Sequence, residues 1–411
     1  MTAQLTDSTT DDIDGAYAWR RLAVSLALST IGGVGLWSVV VTLPAIEAEF
    51  GVDRGGASLP YTATMVGFAL GGIIMGRLAD RFGVFVPLLV ATVMLTLGYV
   101  AASMADSIIT FMLAQALLIG MLGSAATFAP LVADVSLWFE RRRGIAIAIV
   151  ASGNYLSGTL WPPILSALIE DIGWRQAHLV IAIVCAVTML PLALMLRRRA
   201  NTDEKTDADG RTQRPLPPGA SPKTVQAALI VAGLACCIAM SMPQVHIVAY
   251  CGDLGYGVAV GAEMLSVMLG LGIVSRVASG LIADKIGGLG TLLLGSALQC
   301  LALAFYIPFD GLTSLYIVSG LFGLAQGGIV PSYAMIVRQY FPAREAGARV
   351  SLVLMTTVIG MAIGGWMSGE IFDLTGSYQM AFLNGIAFNL LNMAIAFWLL
   401  IGTRRRALAA T

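Results

Sequence analysis

Apolar stretches long enough to cross a bilayer recur along the chain, separated by short polar connections. They fall at approximately 20–44, 58–76, 84–104, 108–137, 144–169, 177–196, 225–250, 259–282, 289–308, 312–337, 347–371 and 378–401. A segment in lipid must satisfy its own backbone hydrogen bonds. Continuous apolar runs of about 20 residues therefore predict helices, whereas membrane-barrel strands would be about ten residues long and alternating. The pattern predicts an all-α membrane protein with twelve transmembrane helices. One longer connection, 197–224, is charged and proline-rich (Pro215, Pro217, Pro218, Pro222) and reads as a flexible linker. It divides the spans six and six. The expected organisation is a tail at 1–19, a six-helix bundle at 20–196, the linker at 197–224, a second six-helix bundle at 225–403 and a tail at 404–411.

Composition agrees with a membrane protein. Of 411 residues, 57% are hydrophobic and 12% charged, and the mean hydropathy is +0.83. A soluble domain carries about 25% charge, so this chain cannot cover a water-facing surface. An ordinary soluble enzyme, a nucleic-acid binder and a disordered protein are excluded. The net charge is zero, but the basic residues are unevenly placed. With an even number of spans, every Lys and Arg except Arg54, Arg175 and Arg276 falls on the side of the termini. That bias places both termini in the cytoplasm of a multi-pass plasma-membrane protein. The first residues are acidic (Asp7, Asp11, Asp12, Asp14) and lack the basic start of a cleaved signal peptide. The five cysteines have no metal spacing, and His178 and His246 are too far apart to share a metal. No metal or cofactor is expected.

The two halves resemble each other at a shift of about 204 residues. Gly76-Arg-Leu-Ala-Asp80-Arg81-Phe-Gly83 follows the second span, and Gly280-Leu-Ile-Ala-Asp284-Lys285-Ile-Gly287 follows the eighth. Phe139 to Gly144 has a loose counterpart in Phe341 to Gly347, and Asp171-Ile-Gly173 in Asp373-Leu-Thr-Gly376. Parallel repeats of this kind belong to transporters. In the doubled loop the glycines permit a tight turn, and Asp80 reads as sitting at the N-terminus of the following helix, where the dipole favours a carboxylate. Asp80, Arg81, Asp284 and Lys285 are candidate gating charges. Asp134 and Arg142 join them, Asp134 as a partner for Arg141 to Arg143 or the helix ends.

The doubled loop resembles the signature of the major facilitator superfamily. The resemblance implies two pseudo-symmetric six-helix bundles and alternating access. Asp14-Gly-Ala-Tyr-Ala-Trp19 is similar to the stretch that opens monocarboxylate transporters. Trp138-Phe-Glu-Arg-Arg-Arg-Gly144 and Arg276-Val-Ala-Ser-Gly280 resemble later stretches of the same family. Pro243-Gln-Val-His246 is similar to a segment of its bacterial relatives, the oxalate–formate antiporters included. Animal members of the family carry an acidic residue one turn before the arginine and a lysine in the first helix. This chain has Gly272 and Gly35-Leu-Trp-Ser38 there.

Arg276 is the only Lys or Arg well inside a span, and Gly272 and Gly280 occupy the positions one turn away. A buried arginine costs about 2.5–3.5 kcal/mol on insertion scales. It either faces a cavity, as a bidentate carboxylate partner, or snorkels to an interface about 9 Å along the helix. His246 is a candidate proton carrier or an interface histidine. Tyr333, Asn154, Tyr155, Trp37 and Tyr61 are candidate cavity-lining groups. The expected function is secondary active transport of a small carboxylate, with a proton as co-substrate, by a monomer embedded in lipid. One intramembrane cation suits a monoanion better than a dianion. Exchange or efflux of an organic anion is the second reading, and a membrane sensor on a transporter fold the third.

Overall fold

The computed structural model describes residues 13–199, 216 and 220–409; at 343, 344, 346 and 403–409 it describes the backbone alone. The expected linker and N-terminal tail lie largely outside these residues, as do Lys205, Arg211 and Arg214; of the expected C-terminal tail, 404–409 continue the last helix.

Every regular element among the described residues is helical. Among the described residues, ten helices are long and apolar enough to cross a membrane. We number them α1 (Ala16–Phe50), α2 (Arg54–Phe82), α3 (Phe85–Ser103), α4 (Ile108–Leu137), α5 (Arg143–Met195), α6 (Pro222–Asp253), α7 (Val258–Phe305), α8 (Leu312–Tyr340), α9 (Gly347–Thr375) and α10 (Gln379–Gly402).

The twelve-helix, two-bundle arrangement expected from the apolar pattern is thereby corrected to ten. The difference falls at two places. The expected spans 144–169 and 177–196 are one helix, α5, and 259–282 and 289–308 are one helix, α7. Each long helix is kinked at one glycine, where its two helical segments meet end to end. Only Gly173 (φ 79°, ψ 159°) and Gly287 (φ 77°, ψ 167°) leave helical geometry, a conformation open to glycine because it has no Cβ. The equivalent Gly83 has φ 77° and does end its helix, α2. Asp80 is corrected too. It lies in the last turn of α2, not at the start of α3.

The chain forms two compact units. One comprises Met1–Val52 with Leu59–Thr206; the other comprises Asp53–Ser58 with Asp207–Thr411. The short segment around Arg54 thus packs with the second unit.

In the first unit α4 is irregular. A π-helical stretch, Ala114–Gly123, and a 3-10 turn, Ser124–Thr127, precede its last α-helical part. This stretch lies directly against α2: a Cβ on Gly67 would meet the Ala116 carbonyl, and one on Gly71 the Met121 carbonyl. In the second unit Gly360 and Gly364 of α9 meet the Leu234 and Ile238 carbonyls of α6 in the same way. Without a hydrophobic drive between helices in lipid, such close approach supplies the dispersion contact that holds them.

Charge is neutralised locally. Arg21 of α1 is almost fully buried and pairs with Asp134 of α4, with Nε–Oδ2 2.7 Å and Nη2–Oδ1 2.8 Å. It also donates to the Leu196 carbonyl at the end of α5. Asp134, expected to meet Arg141 to Arg143 or the helix ends, is thus a partner of Arg21. Arg175 pairs with Glu49 at 2.6 Å.

Candidate substrate and proton site

Arg276 lies on α7, half-buried. Its Nε is 3.4 Å from the Gly327 carbonyl. Gly327 and Gly328 interrupt α8 between Leu312–Gln326 and Ile329–Tyr340. Two further contacts fix α7 against this break: Ser275 Oγ donates to the Leu324 carbonyl at 2.6 Å, and a Cβ on Gly327 would lie 2.7 Å from the Arg276 nitrogen. The guanidinium is thus tethered to a break in a neighbouring helix, where backbone carbonyls are released from helical bonding.

Next to Gly327 is Gln326, fully buried. Its Oε1 accepts from Gln244 of α6. Its Nε2 has no hydrogen-bond partner. A buried donor left open is uncommon and calls for an acceptor. The arrangement therefore offers an acid a cation from α7 and an open N–H from the residue beside the carbonyl that the cation touches. Sequence reasoning passed over Gln326 and Gln244, although isolated amides inside apolar spans are themselves a signal.

His246, on α6, is completely buried. Its Nε2 is 2.7 Å from the Gly365 carbonyl and its Nδ1 3.1 Å from the Tyr378 hydroxyl. A carbonyl only accepts, so Nε2 carries the hydrogen and the neutral ring presents Nδ1 as an acceptor. Tyr378 donates to it and accepts from Arg54 Nη1 at 2.6 Å. The same guanidinium forks onto Asp253 at 2.9 and 3.0 Å, and its ring-facing side lies 4.7 Å from the Phe372 centroid. Asp373 accepts from the Arg54 and Gly55 backbone nitrogens at 3.0 and 2.6 Å. A directed chain thus runs from Arg54 through Tyr378 and His246 to Gly365. Arg54, read from sequence only as one of two basic residues on the sparse side, is its first member. Tyr378 was not singled out, because it reads simply as the first residue of an apolar run.

The other sequence candidates divide between the units. Tyr333 is fully buried and donates to Asn392 at 2.7 Å. Asn392 in turn donates to Ser296 at 2.8 Å. The tyrosine hydroxyl belongs to a polar knot joining α7, α8 and α10. Trp37 and Asn154 of the first unit come together: the indole donates to the Asn154 carbonyl at 3.1 Å. The Asn154 side-chain Oδ1 is buried without a partner. Tyr155 and Tyr61 are buried as well. Among the proposed gating charges, Asp80, Asp284 and Lys285 are exposed. Arg81 lies over the Phe82 ring at 5.1 Å and Arg142 over Trp19 at 5.8 Å.

The two stretches 14–19 and 138–144 dock on each other. Asp14 accepts from the Glu140 and Arg141 backbone nitrogens at 3.2 and 3.0 Å. Tyr17 packs on Trp138 at 5.1 Å and Trp19 on Phe139 at 5.2 Å.

Comparison with known proteins agrees with the motifs. The family model described as Major Facilitator Superfamily matches residues 25–318 and 289–410. Monocarboxylate transporter 13 of Bos taurus is 27% identical over 91% of this chain and 87% of its own length. The Agnestins efflux protein AgnL12 of Paecilomyces divaricatus is 23% identical over 83% of this chain and 77% of its own. A bacterial homologue of the human lysosomal transporter Spinster has the same fold, with TM-score 0.68 and 14% identity, over 95% of this chain and 97% of that one. With the family match reaching from the first helix to the last, and the Asp-Arg and Asp-Lys turns repeated at Gly83 and Gly287, the chain belongs to the Major Facilitator Superfamily and is a membrane-embedded secondary active transporter, not an enzyme.

Proposed function

We propose that the protein carries small monocarboxylates together with a proton. Arg276 is the electrostatic anchor of the anion, and His246 holds the proton at Nδ1. The observations that support this most are a half-buried guanidinium tied to the Gly327 carbonyl and, on the preceding residue Gln326, a buried N–H without an acceptor. A carboxylate would accept the open N–H of Gln326 and be drawn by the charge of Arg276, and a single cation balances a monoanion better than a dianion. The family relatives named as monocarboxylate transporters support the same cargo.

Coupling to a proton makes the loaded protein electroneutral, which matters because moving one uncompensated charge costs about 2.3 kcal/mol per 100 mV. This chain has Gly272 where animal monocarboxylate transporters carry an acid, so the proton needs another carrier. His246 Nδ1 is that carrier. Protonation there removes the acceptor of the Tyr378 O–H and sets a second positive charge beside Arg54. The cytoplasmic placement of both termini and of the arginine-rich side is part of the proposal.

Uptake of labelled acetate, lactate and succinate into proteoliposomes under an imposed acid gradient tests it. Arg276→Ala should abolish uptake with the folded fraction unchanged, and Arg276→Lys should restore little because the fork is lost. Near-normal uptake by Arg276→Ala overturns the assignment. The likeness to a fungal efflux protein favours a second reading, exchange of a larger organic anion. Counterflow without any pH gradient, undiminished in His246→Ala, would support exchange over symport.

A further inference from the structure

The first unit contains a cavity of about 410 Å³ that the transport reading does not use. It lies where the Asp80–Gly83 turn, the end of α4 and the end of α5 meet, and three consecutive arginines, Arg197, Arg198 and Arg199, line it.

Each arginine is positioned. Arg21 holds the Leu196 carbonyl immediately before them at 3.3 Å. The Arg197 guanidinium lies 5.5 Å from the Phe85 ring, and that of Arg198 lies 5.0 Å from the Tyr17 ring. Arg199 crosses Gly83 so closely that a Cβ there would sit 2.8 Å from its Nε. Of the two carboxylates on the wall, Asp134 is already bound by Arg21. Asp80 is the other, and Arg197 and Arg199 beside it are both exposed. The N-terminus of α3, at Phe85, adds its own N–H groups and positive dipole end to the same wall.

Apolar side chains at the cavity and next to the arginines are uncovered. Phe82 and Leu137 line the cavity and are 40% and 44% exposed; Leu194 and Met195, just before the arginines, are 46% and 58% exposed. A cationic rim above an apolar flank fits an amphiphile. Its volume is within the range of small-molecule sites.

We infer that this cavity binds a phosphate-bearing anion, and that its source is the headgroup of an anionic phospholipid. Basic pockets beside membrane helices recognise such headgroups through charge and bidentate N–H donation. A soluble phosphate shares the headgroup chemistry but not the acyl chains that the flanking surface would cover.

The test uses the full-length protein in detergent with added phosphatidylglycerol or phosphatidylcholine, with retained lipid counted by native mass spectrometry. Wild-type protein should retain phosphatidylglycerol selectively. The Arg197→Gln/Arg199→Gln variant should bind it roughly 30-fold more weakly, about fivefold per arginine. Arg338→Gln, which removes an exposed arginine of the other unit, should bind as wild type. Glycerol phosphate should compete only at far higher concentration. Equal retention of both lipids by wild type, or no loss in the double variant, overturns the site. Full competition by glycerol phosphate at equal concentration overturns the lipid source. Because the variant could be destabilised, Arg197→Lys/Arg199→Lys is measured alongside. It should keep much of the selectivity, and its failing as badly as the glutamine pair while remaining folded counts against a headgroup contact.

Discussion

The Tyr378 hydroxyl stands 3.1 Å from His246 Nδ1, the ring nitrogen left open to a proton. The opposite nitrogen is committed to the Gly365 carbonyl at 2.7 Å. Any proton that His246 accepts must therefore displace the tyrosine hydrogen, and Tyr378 is also the acceptor of Arg54. Tyr378→Phe removes that link without altering ring packing. Its uptake should lose the pH dependence that His246→Ala also loses, while Arg54 keeps Asp253. The variant should be less stable by about 1–3 kcal/mol, the cost of leaving buried groups unmatched. A pH–uptake profile identical to wild type would remove the pair from the coupling scheme.

Gln326→Leu removes the open donor beside Gly327 and leaves Arg276 in place. If the carboxylate takes that N–H, apparent affinity should fall about 3- to 10-fold, the effect of one neutral hydrogen bond, with the maximal rate largely kept. Gln244, whose amide then loses its acceptor, should show a smaller effect on affinity when replaced. Substrate-concentration curves for Gln326→Leu and Gln244→Leu check this. An unchanged half-saturation in Gln326→Leu would place the anion elsewhere.

Asp134→Ala strands a buried guanidinium. Removing one member of a buried pair costs about 3–5 kcal/mol, and Arg21 has nowhere else to discharge within α1. The thermal midpoint should fall by many degrees. Arg21→Met/Asp134→Leu should recover most of it, because a matched apolar pair has no charge to desolvate. Thermal unfolding in detergent compares the three proteins. Similar losses in the single and double variants would point to a role beyond the pair itself.

The Arg141 backbone N–H, with that of Glu140, holds the Asp14 carboxyl below its ordinary value of 3.8 against a smaller opposing effect of desolvation. A folded-state value below the unfolded one stabilises above the ordinary value and is lost as pH falls through the folded value. The clasp between 14–19 and 138–144 should thus be intact at neutral pH and open under acid. Hydrogen exchange across 14–19 should rise on acidification below 3.8 in wild type, and be high at every pH in Asp14→Ala. Equal protection in both proteins at neutral pH would show the aromatic contacts alone are sufficient.

Much of this was legible in the chain. The doubled turn was visible as Gly76 to Gly83 and Gly280 to Gly287, and the structure gives both end glycines the same φ. Arg276 stood out because a charge within an apolar run is conspicuous. Other features were invisible for a definite reason. Gln326 became interesting only when its Oε1 was occupied and its Nε2 was not, and hydrogen-bond closure is a property of neighbours distant in sequence. Asp134 meets Arg21, 113 residues away, a pairing that no local pattern announces.

Hydropathy by itself determined that the chain lives in a bilayer as helices, because lipid offers no partner for an open backbone and short-range composition suffices to say so. Where helices end was settled by backbone geometry: at Gly173 and Gly287 a polar gap that reads as a connection is one non-helical residue, and ten helices result. Pairing of the charges was settled by tertiary structure too. Which guanidinium meets which carboxylate depends on the distance between helices, and residue order along one strand of text carries no such distance.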